Sequence, residues 1–410
     1  MPSILIVSAY LAPAQAVGAR RAERMATHLQ ARGWQVTVLT LRPEYTPPSD
    51  PSREELQNID VIRTHALMPL AWGRLLRERY RAAQGGSRAR VASQGASPAQ
   101  SGRSRLQGLR EKVLFPDEFN GWLPFALQAV AARRFDVVLG TLPPFTVGVV
   151  ARAVAERCRA KLVLDYRDPW GDLNQITRLE PVLRDRHGRL EDRGLRQAAL
   201  VVAVTPVLAE QLARRTTAPV VEIANAVDRV PEHLVCGPES TLAYAGSLAY
   251  GRSVAPLMAA MADLSSGGND LQLVYAGPDG AAARAAAGPH AARLRDLGPV
   301  SGARAAALVE QARAGLVLAS PDYLYAYPGK IFDILNASRP ILLVGPARSA
   351  AAALVRRHNL GWAVADDDDA GMRQALSELA AGRSFTPVHL DELSTQTTMD
   401  RLDLELRNLL

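Results

Sequence analysis

ILIVSAYLAPAQAVGARRAERMATHLQARGWQVTVLT, residues 4–40, contains a complete strand–loop–helix–strand unit, and its reading decides the fold. Residues 4–7 are an unbroken aliphatic run, the pattern of a strand covered on both faces of a parallel sheet. Ser8, Ala9 and Tyr10 open a loop, residues 20–32 follow with helical spacing, and residues 34–40 make the next strand. A secretory leader would need basic residues before the apolar run, and only Met-Pro-Ser stands there. Further short aliphatic runs lie at 137–139, 162–164, 200–204, 242–245, 271–275, 314–318 and 341–344. Helical stretches such as 146–158, 254–264 and 303–312 separate them. Strands of buried type alternating with helices give an α/β, doubly wound parallel sheet, here built twice. The polar stretch 228–241, with Pro231, Gly237 and Pro238, marks the boundary. It gives an N-terminal domain over 1–235 and a second over 236–395. A C-terminal helix, 396–410, is a candidate to pack back on the first.

Composition narrows the class. Hydrophobic residues are 48% and charged residues 22% of 410, and no apolar run reaches the ~20 residues of a membrane span. Cys158 and Cys236 match no metal-ligand spacing and point to a reducing compartment, so the expected location is the cytoplasm. The net charge of +7 is concentrated in one place: residues 71–112 hold ten basic residues against Glu78 and Glu111, a local +8. The basicity belongs to this insertion and not to the fold, and no nucleic-acid partner is read from it. On either side of a small-residue loop (82–104), Trp72, Leu75, Leu76 and Tyr80 share a helical face, as do Leu106, Leu109 and Val113. Two readings stand side by side. The insertion is a peripheral anchor on the anionic inner face of the cell membrane, or it is an ordinary helix pair packed on the domain.

The richest stretch is YPGKIFDILNASRP, residues 327–340. Pro328 and Gly329 break the chain, and a helix starts near Lys330. Free backbone N–H groups and a partial positive charge at a helix start favour phosphate. Lys330 adds an ammonium there, one of only three lysines among 48 basic residues. Asp333, one turn on, can accept two hydroxyl hydrogens, as from a ribose. Two more strand-end loops have the same small-residue character, Tyr244–Arg252 and Ala276–Gly280. Ligands of open α/β sheets bind at the carboxyl ends of strands, where all three loops fall.

Asp165, Arg167 and Asp168 in LDYRDPWGDL also follow an apolar strand. They either orient an acceptor hydroxyl or contact the donor phosphate, or they form a structural Asp–Arg pair that caps a loop. Trp122 and Trp170 either stack on a sugar or fill the core. No G-x-G-x-x-G follows residues 4–7, which excludes a dinucleotide dehydrogenase. None of His28, His65, His187 and His358 has a partner acid or serine in a motif, so hydrolase chemistry has no support. Asp366 to Asp369 read as solvated loop carboxylates, not as a metal site.

Eight stretches together resemble one family over nearly the whole chain: residues 4–40, PDEFNGWLPFA, LGTLPPFTVG, LDYRDPW, VVEIANAVD, YAGSLAYGRSVAPLM, VYAGPDG and YPGKIFDILNASRPILL. The family is the family-4 type of GT-B glycosyltransferases. LDYRDPW with PGKIFDIL is similar to bacterial members that build polysaccharides and other glycoconjugates. The resemblance implies two facing Rossmann-like domains. It implies a nucleotide-diphosphate-sugar co-substrate held mainly by the C-terminal domain, and a glycan, lipid-linked or small-molecule acceptor held mainly by the N-terminal one. It further implies retention of configuration, with neither a metal nor another cofactor. By position, Asp333 is the ribose ligand, Arg252 the phosphate-binding cation, and Gly18 the glycine of the loop that faces the diphosphate. Gly246, Ser247, Gly277, Tyr325, Pro328, Gly329 and Ile331 complete the donor contacts. Asp168, Arg252 and Lys330 are the catalytic candidates, and Arg20, Asp165 and Arg167 are placed on the acceptor side. Two positions depart from the family. Tyr325 replaces a glutamate, with Asp322 the nearest carboxylate, and Ser247 replaces a phosphate-binding arginine that Lys330 is a candidate to compensate. These departures keep open a non-catalytic nucleotide-sugar-binding or partner protein, and a nucleotide-sugar epimerase of the same fold is a third reading.

Overall fold

The computed structural model describes residues 1–14, 16–46, 56–68, 111–171, 173–264 and 271–410. The two amphipathic patterns of the basic insertion lie outside these residues, Val113 excepted. The chain divides into two compact units. One holds the described residues up to Ala224 together with Thr398–Leu410, and the other holds Asn225–Thr397.

Among the described residues, seven parallel strands build the first unit: β1 (Ser3–Val7), β2 (Gln35–Leu41), β3 (Asp60–Thr64), β4 (Val137–Leu142), β5 (Lys161–Tyr166), β6 (Ala198–Ala203) and β7 (Val220–Glu222). Their order is β3-β2-β1-β4-β5-β6-β7. Ile4, Leu5, Ile6 and Val7 are fully buried, as an apolar run covered on both faces requires. The second unit has six: β8 (Glu239–Ala245), β9 (Gln272–Ala276), β10 (Leu294–Asp296), β11 (Ala312–Leu318), β12 (Ile341–Val344) and β13 (Gly361–Val364), in the order β10-β9-β8-β11-β12-β13. Both are doubly wound parallel sheets.

The division falls at Ala224–Asn225, ahead of the polar stretch 228–241. The backbone from Val227 onward is already tied to the second unit. Val227 N donates to Leu393 O at 2.8 Å, and Leu234 and Phe385 exchange two backbone hydrogen bonds. The last helix, Thr395–Arg407, sends Met399, Leu402 and Leu406 into the core formed by Ile4, Met25, Leu29 and Trp34. Trp34 Nε1 donates to Asp403 at 2.6 Å, and the Arg407 guanidinium lies over the same indole.

Sugar stacking is ruled out for both tryptophans. Trp122 is buried and donates to Thr64 Oγ1 at 2.7 Å. Trp170 is buried against Phe145 and donates to His187 Nδ1 at 2.9 Å. Burial pushes the His187 pKa down to about 4, with Arg186 adding to the effect, so this imidazole is a neutral acceptor. In the PDEFNGW stretch, Asp117 accepts from Thr146 N and Thr146 Oγ1 at 2.8 and 2.6 Å and so anchors the start of helix Thr146–Cys158. Among the described residues, no helix is long and apolar enough to cross a membrane.

Candidate functional site

In the second unit the strand order reverses between β8 and β11, which opens a crevice at their carboxyl ends. Lys330, in the first turn of helix Gly329–Asn336, reaches this crevice. Its Nζ lies 4.5 Å from the centroid of the Tyr244 ring, at the end of β8. It also lies so close to Gly246 that a Cβ there would overlap it. Gly246 has φ +145°, so the position excludes other residues on backbone grounds as well. The ammonium is half-buried, and burial pushes its pKa down to about 8. The nearby Arg252 guanidinium lowers it further and Asp333 opposes the shift. Among the described residues Lys330 forms no ion pair. A cation withdrawn from water without a carboxylate partner is costly unless a ligand anion compensates it.

The helix start supports the same chemistry. Pro328 precedes the helix without a side-chain cap, and no acid stands in the first turn, so the helix-start N–H groups carry a partial positive charge that no side chain of this turn neutralises. Asp333 is exposed on that helix. Arg252 is fixed from the opposite wall. Its Nε donates to Leu318 O at 3.1 Å, at the end of β11, and its Nη1 to Ala249 O at 3.4 Å. It lies in the loop ahead of helix Ala255–Leu264.

Four of the donor-side positions have roles within the fold itself. Ile331 is fully buried and its N–H already bonds Pro328 O at 3.0 Å, so it packs the helix. Tyr325 is 8% exposed and packs edge-on against Tyr323, which in turn packs on Tyr250. It is an aromatic wall at the position where the resemblance leads one to expect a glutamate. The Ser247 hydroxyl donates to Asp279 at 2.9 Å, and Leu248 N bonds the same oxygen at 2.8 Å. Ser247 therefore shapes the turn. Gly277 is small for a packing reason, since a Cβ there would strike Gly246 O and Tyr275 Oη.

The sequence reading gives Tyr244 and Asp279 no role of their own, although both stand in the strand-end loops it singles out. Tyr244 is the second-last residue of its strand, where a phenol signals a polar end. Asp279 closes the third small-residue loop and is the acceptor that holds the Gly246–Leu248 turn in place. Burial keeps the Tyr244 and Tyr275 phenols protonated.

The first unit handles its strand-end charges otherwise. Asp165 is fully buried and takes a bidentate pair from Arg21, at 2.9 and 2.7 Å. Arg21 also donates to Ala224 O and Ile223 O at 3.1 and 2.9 Å. Asp165 is therefore a structural group and not an acceptor ligand, and its partner is Arg21 instead of Arg167. Arg20 points to solvent. Arg167 donates from Nε to Leu142 O at 3.1 Å and from Nη2 to Pro143 O. Its guanidinium fills the space over Gly18, where a Cβ would overlap it. Burial pushes the Arg167 pKa down against the pull of Asp168 and Asp165. Gly18, Arg167 and the half-buried Asp168 thus lie at the carboxyl ends of the strands of this unit.

Residues 18–226 match the family model described as "Glycosyl transferase 4-like domain", just over half of the chain. No curated protein matches the chain in sequence. Several solved structures share its fold. The sucrose-phosphate synthase of Thermosynechococcus elongatus is 15% identical with a TM-score of 0.61, over 100% of this chain and 99% of that one. The α,α-trehalose 6-phosphate synthase of Burkholderia multivorans is 12% identical with a TM-score of 0.60, over 100% and 96%. The Anabaena protein HepE, solved in complex with UDP and glucose, is 10% identical with a TM-score of 0.54, over 100% of both chains.

Proposed function

The chain belongs to the glycosyl transferase 4-like family, and from that premise we propose that it is a retaining glycosyltransferase using a nucleoside-diphosphate-sugar. Its acceptor is a glycan, a lipid-linked saccharide or a small molecule, as in polysaccharide and glycoconjugate assembly. One observation carries the reading: the half-buried Lys330 ammonium, which forms no ion pair among the described residues, set against Gly246 at the strand reversal beside a helix start.

As the glycosidic bond breaks, the departing diphosphate gains negative charge. Lys330, Arg252 and the helix start at Gly329 are arranged to stabilise that charge. Two cations there take the role that a metal would otherwise fill. Asp333 accepts the ribose hydroxyls. No nucleophile of the chain is invoked in this reading, and the acceptor hydroxyl attacks the face that the diphosphate leaves. Its proton passes to the departing phosphate oxygen. The UDP held by the Anabaena protein makes uridine nucleotides the first donors to test.

Buried Tyr325 and the engaged Ser247 favour a second reading, nucleotide-sugar binding without transfer. Mass spectrometry decides between the two, with a panel of nucleotide-sugars and envelope glycolipid or oligosaccharide acceptors. Transfer gives a product one sugar heavier and free nucleoside diphosphate, both lost in Asp333→Ala. Bound donor recovered unchanged across the panel would establish the second reading, and a free epimerised donor, of equal mass and separated from the original by chromatography, would identify an epimerase.

A further inference from the structure

We propose that helix Pro181–Gln197 of the first unit presents a docking surface for an anionic lipid membrane. The helix, PVLRDRHGRLEDRGLRQ, buries Leu183, His187, Glu191, Gly194 and Leu195. Arg186, Arg189, Arg193 and Arg196 are all exposed. Their spacings of three, four and three residues put them on one face. At 1.5 Å per residue, the row is about 15 Å long.

The helix's own acids leave most of this charge in place. Glu191 and Asp192 are taken by Arg215, at 2.7 and 2.8 Å. Asp185 alone is exposed beside the row. Among the described residues Arg189, Arg193 and Arg196 form no ion pair. The Arg186 guanidinium lies 4.1 Å above the Phe115 ring, which keeps its charge and leaves it at the surface.

The row ends in exposed aliphatic side chains. Val182, one turn before Arg186, is 67% exposed, and Val113 is 45% exposed. Residues 112–115 pack at this end of the helix. Lys112 Nζ lies 3.6 Å from Glu180, and the Phe115 ring centroid lies 4.7 Å from that of His187. Lys112 is also the last residue of the strongly basic insertion. A row of guanidinium groups fits phosphate headgroups, and aliphatic side chains beside it fit the headgroup–acyl boundary. A soluble polyanion would engage the arginines but leave Val182 and Val113 without a role. The proposal does not rest on the transfer reading.

The test is sedimentation of the full chain with vesicles of phosphatidylcholine, alone or mixed with phosphatidylglycerol. Wild type pellets with the mixed vesicles, far less with the neutral ones, and progressively less as salt rises. Changing all four arginines to glutamine leaves residues 71–112 intact and lowers partitioning by on the order of a hundredfold. Changing the same four to lysine keeps most of the binding, and circular dichroism verifies both folds. Val182→Ser lowers partitioning by roughly threefold with an unchanged salt dependence. Wild-type pelleting by the glutamine variant overturns the proposal, as does absence of wild type from the mixed-vesicle pellet. Wild type binding inorganic polyphosphate but not the mixed vesicles also overturns it and assigns the row to a soluble polyanion.

Discussion

The two sheets reverse their strand order in the same way, and both place charged side chains at the reversal, yet those charges have different fates. In the first unit Arg21 and Asp165 satisfy one another completely and vanish into the core. In the second, Lys330 is half-buried against an aromatic face and a glycine, with Asp333 exposed on its own helix. A matched buried pair holds a fold together. A partly desolvated cation that forms no ion pair among the described residues is poised for an anion that arrives from outside. Charge at a strand end is thus evidence of binding only when the fold has not already neutralised it.

The largest expected effect tests the first half of this contrast. Arg21→Ala leaves Asp165 buried and unpaired, and urea unfolding should show a loss of about 3–5 kcal/mol. Lys330→Ala removes a desolvated charge and should leave stability within about 1 kcal/mol of wild type. Equal costs for the two variants would dissolve the contrast. Once a donor and acceptor are in hand, Lys330→Ala should lower kcat/KM by about 10²–10³-fold, an effect of about 2.7–4 kcal/mol.

Gly246→Ala forces a Cβ onto Lys330 Nζ at a backbone angle that side chains avoid. It should weaken nucleoside-diphosphate binding by roughly tenfold and cost about 1–3 kcal/mol of stability. A smaller effect follows from pH. The Lys330 ammonium has its pKa pushed down to about 8 by burial. Only the protonated form attracts the diphosphate, so affinity should fall as pH rises through that value, by up to about tenfold from pH 7 to 9. Titration calorimetry of Lys330→Arg should show no such fall.

Much of this was legible in the sequence, and what was not has a common cause. All nine apolar runs became strands. The four strands that escaped notice, β3, β7, β10 and β13, are the outer strands of the two sheets. An edge strand has one partner and a partly wet face, so DVIRT, VVE, LRD and GWAV show no buried run. The phosphate-type helix start was readable because Pro328-Gly329-Lys330 is a local signal. The choice between Arg20 and Arg21 was not local, since adjacent helical residues differ by about 100° in direction. The buried positions Gly18, Ala22, Met25 and Leu29 carried the cue, for Arg21 lies on their face. Asp165 looked catalytic because sequence shows a carboxylate at a strand end but not the guanidinium that closes over it.

The central claim is that the second unit binds a diphosphate through Lys330. Its most direct test is titration calorimetry at pH 7 with UDP, GDP, ADP and dTDP, on wild type and Lys330→Gln. The account predicts that at least one nucleotide binds wild type and that glutamine weakens it by roughly tenfold or more, the loss of a charge-assisted contact. Undiminished binding by Lys330→Gln, with both proteins folded, would contradict it.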